Sequence, residues 1–149
     1  MKKGKILPPT YFYIFLLLAI GLHFILPIKK FIKTPYNYIG ILLISTGTWL
    51  NIWADRLFKN KHTTVKPSEK SSFLIEEGPF VFSRNPMYLG MVIILFGLAV
   101  LLGSIMPFIM PFAFYILISI TFIPQEENAL EETFGQSFVE YKKRVRRWL

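Results

Sequence analysis

The 149-residue sequence is 53% hydrophobic and 17% aromatic, with no cysteine and a formal net charge of +8. Its length suits one domain, and a mean hydropathy of +0.46 is too apolar for a soluble domain of this size, so the composition points to an integral membrane protein. The missing cysteine excludes disulfides, thiolate metal sites and cysteine nucleophiles, and lysines and arginines that flank apolar runs read as topology signals and lipid-headgroup contacts rather than as a nucleic-acid surface.

A first span is expected over about 10–28, after the basic start Met1-Lys2-Lys3-Gly4-Lys5 and the pair Pro8-Pro9. The apolar run is too long for a signal peptide, and no small-residue cleavage pattern precedes Pro27-Ile28-Lys29, so it is expected to stay attached. A second span is expected over about 35–54, with Thr34 as cap, Pro35 in the first turn, and Gly40, Gly47, Trp49 and Trp53 along it. About 20 helical residues at 1.5 Å each match a hydrocarbon core of roughly 30 Å. His23, Ser45, Thr46 and Asn51 fall inside these two spans and read as helix-packing polar groups.

Residues 55–85 form the longest polar segment, a loop in this reading, with His62 to Ser68 as an extended strap and Phe73-Leu74-Ile75 as a short apolar return. A loop of that length in so small a membrane protein is functional or disordered, and its apolar and aromatic anchors favour order. It delivers Glu77-Gly78-Pro79-Phe80-Val81-Phe82-Ser83-Arg84-Asn85-Pro86 onto the third span, about 86–102. Asn85 is expected to cap that helix, and Pro86 sits at its first position, where its missing N–H costs nothing. The helix N-terminus and Arg84 then favour an anionic ligand group, beside the plainer reading of a cap with a snorkelling arginine.

Gly103-Ser104 separates the third span from a fourth over about 105–123, so the two are expected to form an antiparallel hairpin with an uncharged tip. Pro107 is harmless in a first turn, Pro111 is expected to kink the helix, and Pro124 to break or bend it at the membrane surface. In the tail, 124–149, Glu126 and Glu127 are costly so close to the apolar core unless they meet something positive, the alternative being solvation at headgroup level. Phe138, Tyr141, Val145 and Trp148 recur at helical spacing opposite Lys142, Lys143, Arg144, Arg146 and Arg147, which predicts an amphipathic helix lying on the membrane. The fold class is therefore an all-α membrane bundle of about four spans. In that topology fourteen of the 17 basic residues lie on the side of the termini and the long loop, against Lys29, Lys30 and Lys33 on the other, so both termini are expected in the cytoplasm.

Three blocks together, Gly78-Pro79-Phe80, Ser83-Arg84-Asn85-Pro86-Met87-Tyr88-Leu89-Gly90, and Glu126-Glu127 followed by Phe134-Gly135 and Tyr141 to Trp148, resemble the signature of the isoprenylcysteine carboxyl methyltransferase and phospholipid methyltransferase superfamily. Thr63-Thr64-Val65-Lys66-Pro67 resembles the segment that precedes it in bacterial members, so the resemblance covers about 58–149. It implies a multi-pass protein of a bacterial or archaeal inner membrane, S-adenosylmethionine as methyl donor, and a lipophilic acceptor taken from the membrane. Carried over by position, the cofactor contacts are Phe73, Leu74, Ile75, Gly78, Phe80, Asn85, Pro86, Met87, Tyr88 and Glu126 or Glu127, with Arg84 and Glu127 in the catalytic centre. Two positions depart from the pattern: Phe80 replaces a common tyrosine, and Asn85 stands where eukaryotic members have a histidine, which removes a base.

Methyl transfer from a sulfonium needs alignment and exclusion of water, and neither a metal nor a covalent nucleophile is required. The acceptor expected from the sequence is an isoprenylcysteine-like carboxylate, which is already nucleophilic and needs only a cation such as Arg84. The alternative is the amine of phosphatidylethanolamine, whose proton must go to Glu126, Glu127 or His62. A non-enzymatic four-helix protein and a nicotinamide-dependent membrane reductase are the competing classes, and the ordered pair of motifs at one membrane face favours the methyltransferase over both.

Overall fold

The computed structural model describes residues 7–26, 30–60 and 73–149; the strap around Thr63 to Ser68 and His62 lie outside them. Among the described residues the chain is helical without strands: α1 Pro8–Ile25, α2 Ile39–Asn60, α3 Pro86–Leu102, α4 Ile109–Phe134 and α5 Gln136–Arg144, with 3-10 turns at Tyr36–Tyr38, Gly78–Val81 and Met106–Phe108. Two helical stretches, Pro8–Ile25 and Met106–Phe134, are long and apolar enough to cross a membrane, and Pro86–Leu102 is a shorter apolar helix. Leu17, Phe24, Ile25, Leu42 and Ile120 point outward from the bundle, an apolar exterior suited to lipid.

Several boundaries move from their expected places for local reasons. Thr34 makes no cap: the second helix opens as the 3-10 turn at Tyr36–Tyr38, where Asn37 Nδ2 donates to Leu101 O at 3.2 Å. Its far end runs past Ala54 to Asn60, with Asp55 and Lys59 paired one turn apart at 2.5 Å, so six residues assigned to the loop are helical. Pro111 does not kink α4. The helix starts at Ile109, which places Pro111 in its first turn, where backbone N–H groups have no intrahelical partner to lose. Pro124 does not end the helix either; α4 continues ten residues to Phe134, and the surrounding turn carries extra bonds from Thr121 Oγ1 to Leu117 O and from Gln125 Nε2 to Thr121 O. The 29 residues from Met106 to Phe134 extend about 43 Å at 1.5 Å per residue, beyond a core of about 30 Å, so the acidic turns project past the apolar zone.

Glycines set how α2 meets α3. The two helices run antiparallel with Gly40 against Gly97 and Gly47 against Gly90, and a Cβ at Gly40 would stand 2.4 Å from Gly97 O, one at Gly47 2.6 Å from Gly90 O. Paired seven-residue glycine spacings on facing helices allow this backbone contact. Along α4, Tyr11 and Phe12 of α1 pack on Phe122 and Phe114, while His23 Nδ1 lies 2.8 Å from Ser104 Oγ beside the far end. Gly103 ends α3 at φ 73°, and its carbonyl accepts the N–H groups of Phe31 and Ile32 at 2.7 and 3.0 Å. Phe96 of α3 stacks on Phe108 and Phe112 near this turn, while Tyr88 reaches Glu126 at the other end, so α3 and α4 run antiparallel.

Helix α5 is amphipathic, but its apolar stripe is covered by protein rather than laid on lipid. Phe138, Tyr141 and Val145 are buried against Ala54, Ile75 and Phe80. The helix stops at Arg144, Val145 is extended, and Trp148 stacks on Tyr115 of α4 at 4.6 Å, so it does not continue the stripe.

Candidate active site

The segment between the 3-10 turn at Gly78–Val81 and α3 is fixed from outside by the C-terminal tail. Arg84 N–H donates to Arg146 O at 3.0 Å, and Asn85 Nδ2 to Arg147 O at 3.0 Å. Asn85 stands at the N-cap position without a side-chain cap bond; its own N–H donates to Ser83 Oγ at 3.2 Å, so its amide holds the tail instead. Tyr141 OH donates to Phe80 O at 2.7 Å in a buried contact, and Arg144 pairs with Glu76 at 2.5 Å. Burial, reinforced by the Glu76 carboxylate, pushes the Tyr141 hydroxyl up, so it stays protonated as a donor.

This stitching brings three charges together. Glu127, 7% exposed, lies between two arginines: Arg147 reaches it in a fork with Nη2 at 2.7 Å and Nε at 3.2 Å, and Arg84 Nη2 lies 3.2 Å from its Oε1. The hydrogen bonds to Glu127 raise the Arg147 guanidinium further above its ordinary value. Two cations on one carboxylate leave one positive charge in excess. The excess sits on Arg84, whose side chain is 12% exposed and whose Nε and Nη1 are buried with no hydrogen-bond partner among the described residues. Buried guanidinium N–H groups without a partner are costly, and an anionic group placed against them would remove that cost. One turn along α3, Tyr88 OH donates to Glu126, and no lysine or arginine pairs with Glu126 among the described residues.

Of the residues singled out by sequence, Arg84, Asn85, Tyr88, Glu126 and Glu127 are assembled at one end of the bundle, with Pro86 buried at the first position of α3. Ile75 and Phe80 point into the apolar cluster under α5, where Leu74 and Met87 pack at its edge, and Phe80 meets Phe58 edge-on at 5.4 Å. Gly78, at φ 60°, lies against Leu57 and Trp53, and Phe73 is exposed. Ser83, Tyr141 and Arg147 went unassigned at the sequence level. The sequence reading puts Arg147 on the polar face of a helix; the structure ends that helix at Arg144, and no local pattern marks the turn by which Arg147 reaches Glu127.

A helical bundle with an apolar exterior, carrying at one end a half-buried cluster of Glu127 with Arg84 and Arg147, defines a small membrane protein. The sequence model of the family described as phospholipid methyltransferase matches residues 36–137, which takes in α2, the link to α3, the α3–α4 pair and the start of α5. The chain belongs to this family, within the superfamily of isoprenylcysteine and phospholipid membrane methyltransferases. A protein of Haemophilus influenzae described as uncharacterized is 36% identical over 63 residues, which is 42% of this chain and 100% of the other. No solved structure matches the chain.

Proposed function

We propose that the protein transfers a methyl group from S-adenosylmethionine to a phospholipid amine, at the end of the bundle where Arg84, Tyr88, Glu126 and Glu127 meet. The reading places this end in the cytoplasm, with α1 to α4 as four spans of one membrane domain. The observation that carries it is the pair of partnerless donors on buried Arg84, together with membership of the phospholipid methyltransferase family. The donor set fits the cofactor, whose carboxylate suits Arg84 Nε and Nη1. Bound there, it supplies an electrophilic methyl on a sulfonium. Glu127 and Arg147 hold Arg84 in place, and the tail over residues 83–85 limits water. The apolar ends of α3 and α4 give a lipid acceptor a lateral way in.

An amine acceptor must lose a proton, and of the two adjacent carboxylates Glu126 is the one that pairs with no lysine or arginine among the described residues. The carboxylate acceptor expected from sequence relied on Arg84 as its cation. That arginine is already joined to Glu127 through one nitrogen, and its remaining donors suffice for one carboxylate, cofactor or acceptor. The isoprenylcysteine-like carboxylate stays as the second reading, favoured if Arg84 faces the acceptor. Transfer of labelled methyl from S-adenosylmethionine by the purified protein decides between them. A base-stable methylamine on phosphatidylethanolamine is expected; a base-labile ester on a farnesylcysteine analogue moves the assignment to the second reading. Absence of both products together with no binding of S-adenosylhomocysteine rejects methyl transfer.

A further inference from the structure

At the opposite end of the bundle, residues 30–38 lie against the turn between α3 and α4 and border an open pocket of about 560 Å³. Its polar wall is His23, Lys30, Lys33, Thr34 and Asn37, and its apolar wall is the end of α3 at Leu101 and Leu102. The wall is held in place independently of any ligand. Gly103 O accepts the N–H groups of Phe31 and Ile32, Lys30 pairs by backbone with Ser104, His23 Nδ1 is engaged by Ser104, and Asn37 Nδ2 is fixed on Leu101 O.

Two features of this pocket have no internal answer. First, residues 1–54 and 78–125 contain no aspartate or glutamate, so every carboxylate side chain belongs to 55–77 or 126–140. Among the described residues the carboxylates of 126–140 gather at the Glu127 end, and none pairs with Lys30 or Lys33. Second, Asn37 Oδ1 is a buried acceptor without a partner among the described residues, although its amide nitrogen is bonded. Two ammonium groups without a counter-ion, a lone acceptor beside them and an apolar flank match a phosphate ester that carries a neighbouring hydroxyl and an acyl chain.

We propose that this pocket binds a glycerophosphate group, with Lys30 and Lys33 on the phosphate and Asn37 Oδ1 accepting from a headgroup hydroxyl, and that its source is an anionic phospholipid such as phosphatidylglycerol. The site lies at the far end from the Arg84–Glu127 cluster and does not depend on the methyl-transfer reading. Protein reconstituted in phosphatidylcholine nanodiscs with a titrated fraction of phosphatidylglycerol is assayed for retained lipid by native mass spectrometry, with glycerol 1-phosphate as the water-soluble arm.

Wild type retains one phosphatidylglycerol, and Lys30→Gln with Lys33→Gln weakens retention about thirtyfold, from about fivefold per lysine near a membrane surface. Lys30→Arg with Lys33→Arg keeps it, and Lys143→Gln with Arg146→Gln, which removes the same charge at the other end, leaves it unchanged. Asn37→Leu abolishes the preference for phosphatidylglycerol over phosphatidic acid, which has no headgroup hydroxyl. Lysine-dependent binding of glycerol 1-phosphate without lipid retention supports the phosphate site and overturns the lipid as its source. Retention indifferent to Lys30 and Lys33 overturns the site.

Discussion

Replacing Glu127 with glutamine tests the central cluster most directly. The change removes the carboxylate that joins Arg84 and Arg147 while keeping size and one carbonyl acceptor. The Arg84 side chain is 12% exposed, so its charge cannot be rehydrated without moving the segment before α3. Removing one partner of a buried pair costs about 3–5 kcal/mol, and the retained amide oxygen argues for the lower end, about 3 kcal/mol. Arg147 is 40% exposed and adds no more than about 1 kcal/mol, because its charge is screened by solvent. At roughly 2–4 °C per kcal/mol for a chain of this size, Glu127→Gln lowers the midpoint of thermal unfolding in detergent by about 10 °C. Glu126→Gln serves as control, since Tyr88 can still donate to an amide oxygen, and its midpoint stays within about 3 °C. Arg84→Met with Glu127→Gln costs less than the sum of the two single changes, since removing both partners leaves no buried lone charge. A Glu127→Gln midpoint within 3 °C of wild type, or strict additivity with Arg84→Met, refutes a buried charge cluster that holds the site together.

The glycine contact between α2 and α3 separates two otherwise similar changes: Gly40→Ala forces a Cβ to 2.4 Å from Gly97 O and destabilises by at least about 1–3 kcal/mol. Gly21→Ala on α1 meets nothing within 4 Å and leaves the unfolding midpoint unchanged or raises it by the equivalent of about 0.5–1 kcal/mol. Single cysteines introduced into this cysteine-free chain at exposed Ile105 and exposed Ser137 are expected to label from opposite sides of the membrane; labelling of both from one side refutes the four-span topology.

Much of the architecture is written in local patterns. Apolar runs of helical length, Pro8-Pro9 and Pro86 at helix starts and Gly103 at a helix end are decisions each stretch makes from its own residues, because they depend on solvent preference and on backbone donors within a turn or two. The resemblance carried by residues 78–90 and 126–148 likewise pointed to the superfamily whose family model matches residues 36–137. Pairings between distant segments were not legible in the same way. Glu126 and Glu127 are adjacent and chemically identical, yet one meets Tyr88 and the other meets two arginines, since neighbouring helical positions point about 100° apart and only the packed neighbours distinguish them. Asn85 looked like a cap because capping is its commonest local use; the tail offered its amide a carbonyl 62 residues away. The stripe of Phe138, Tyr141 and Val145 announced an apolar face but not its cover, as a hydrophobic surface is equally satisfied by lipid or by Ile75 and Phe80. The sequence by itself determined which segments are apolar and which polar residues stand near their ends, while α2 and α4 run past the ends expected of them. Only the tertiary structure decided which of those residues share a charge, because an ion pair across 20 or 43 residues is a property of distance in space and leaves no trace in spacing along the chain.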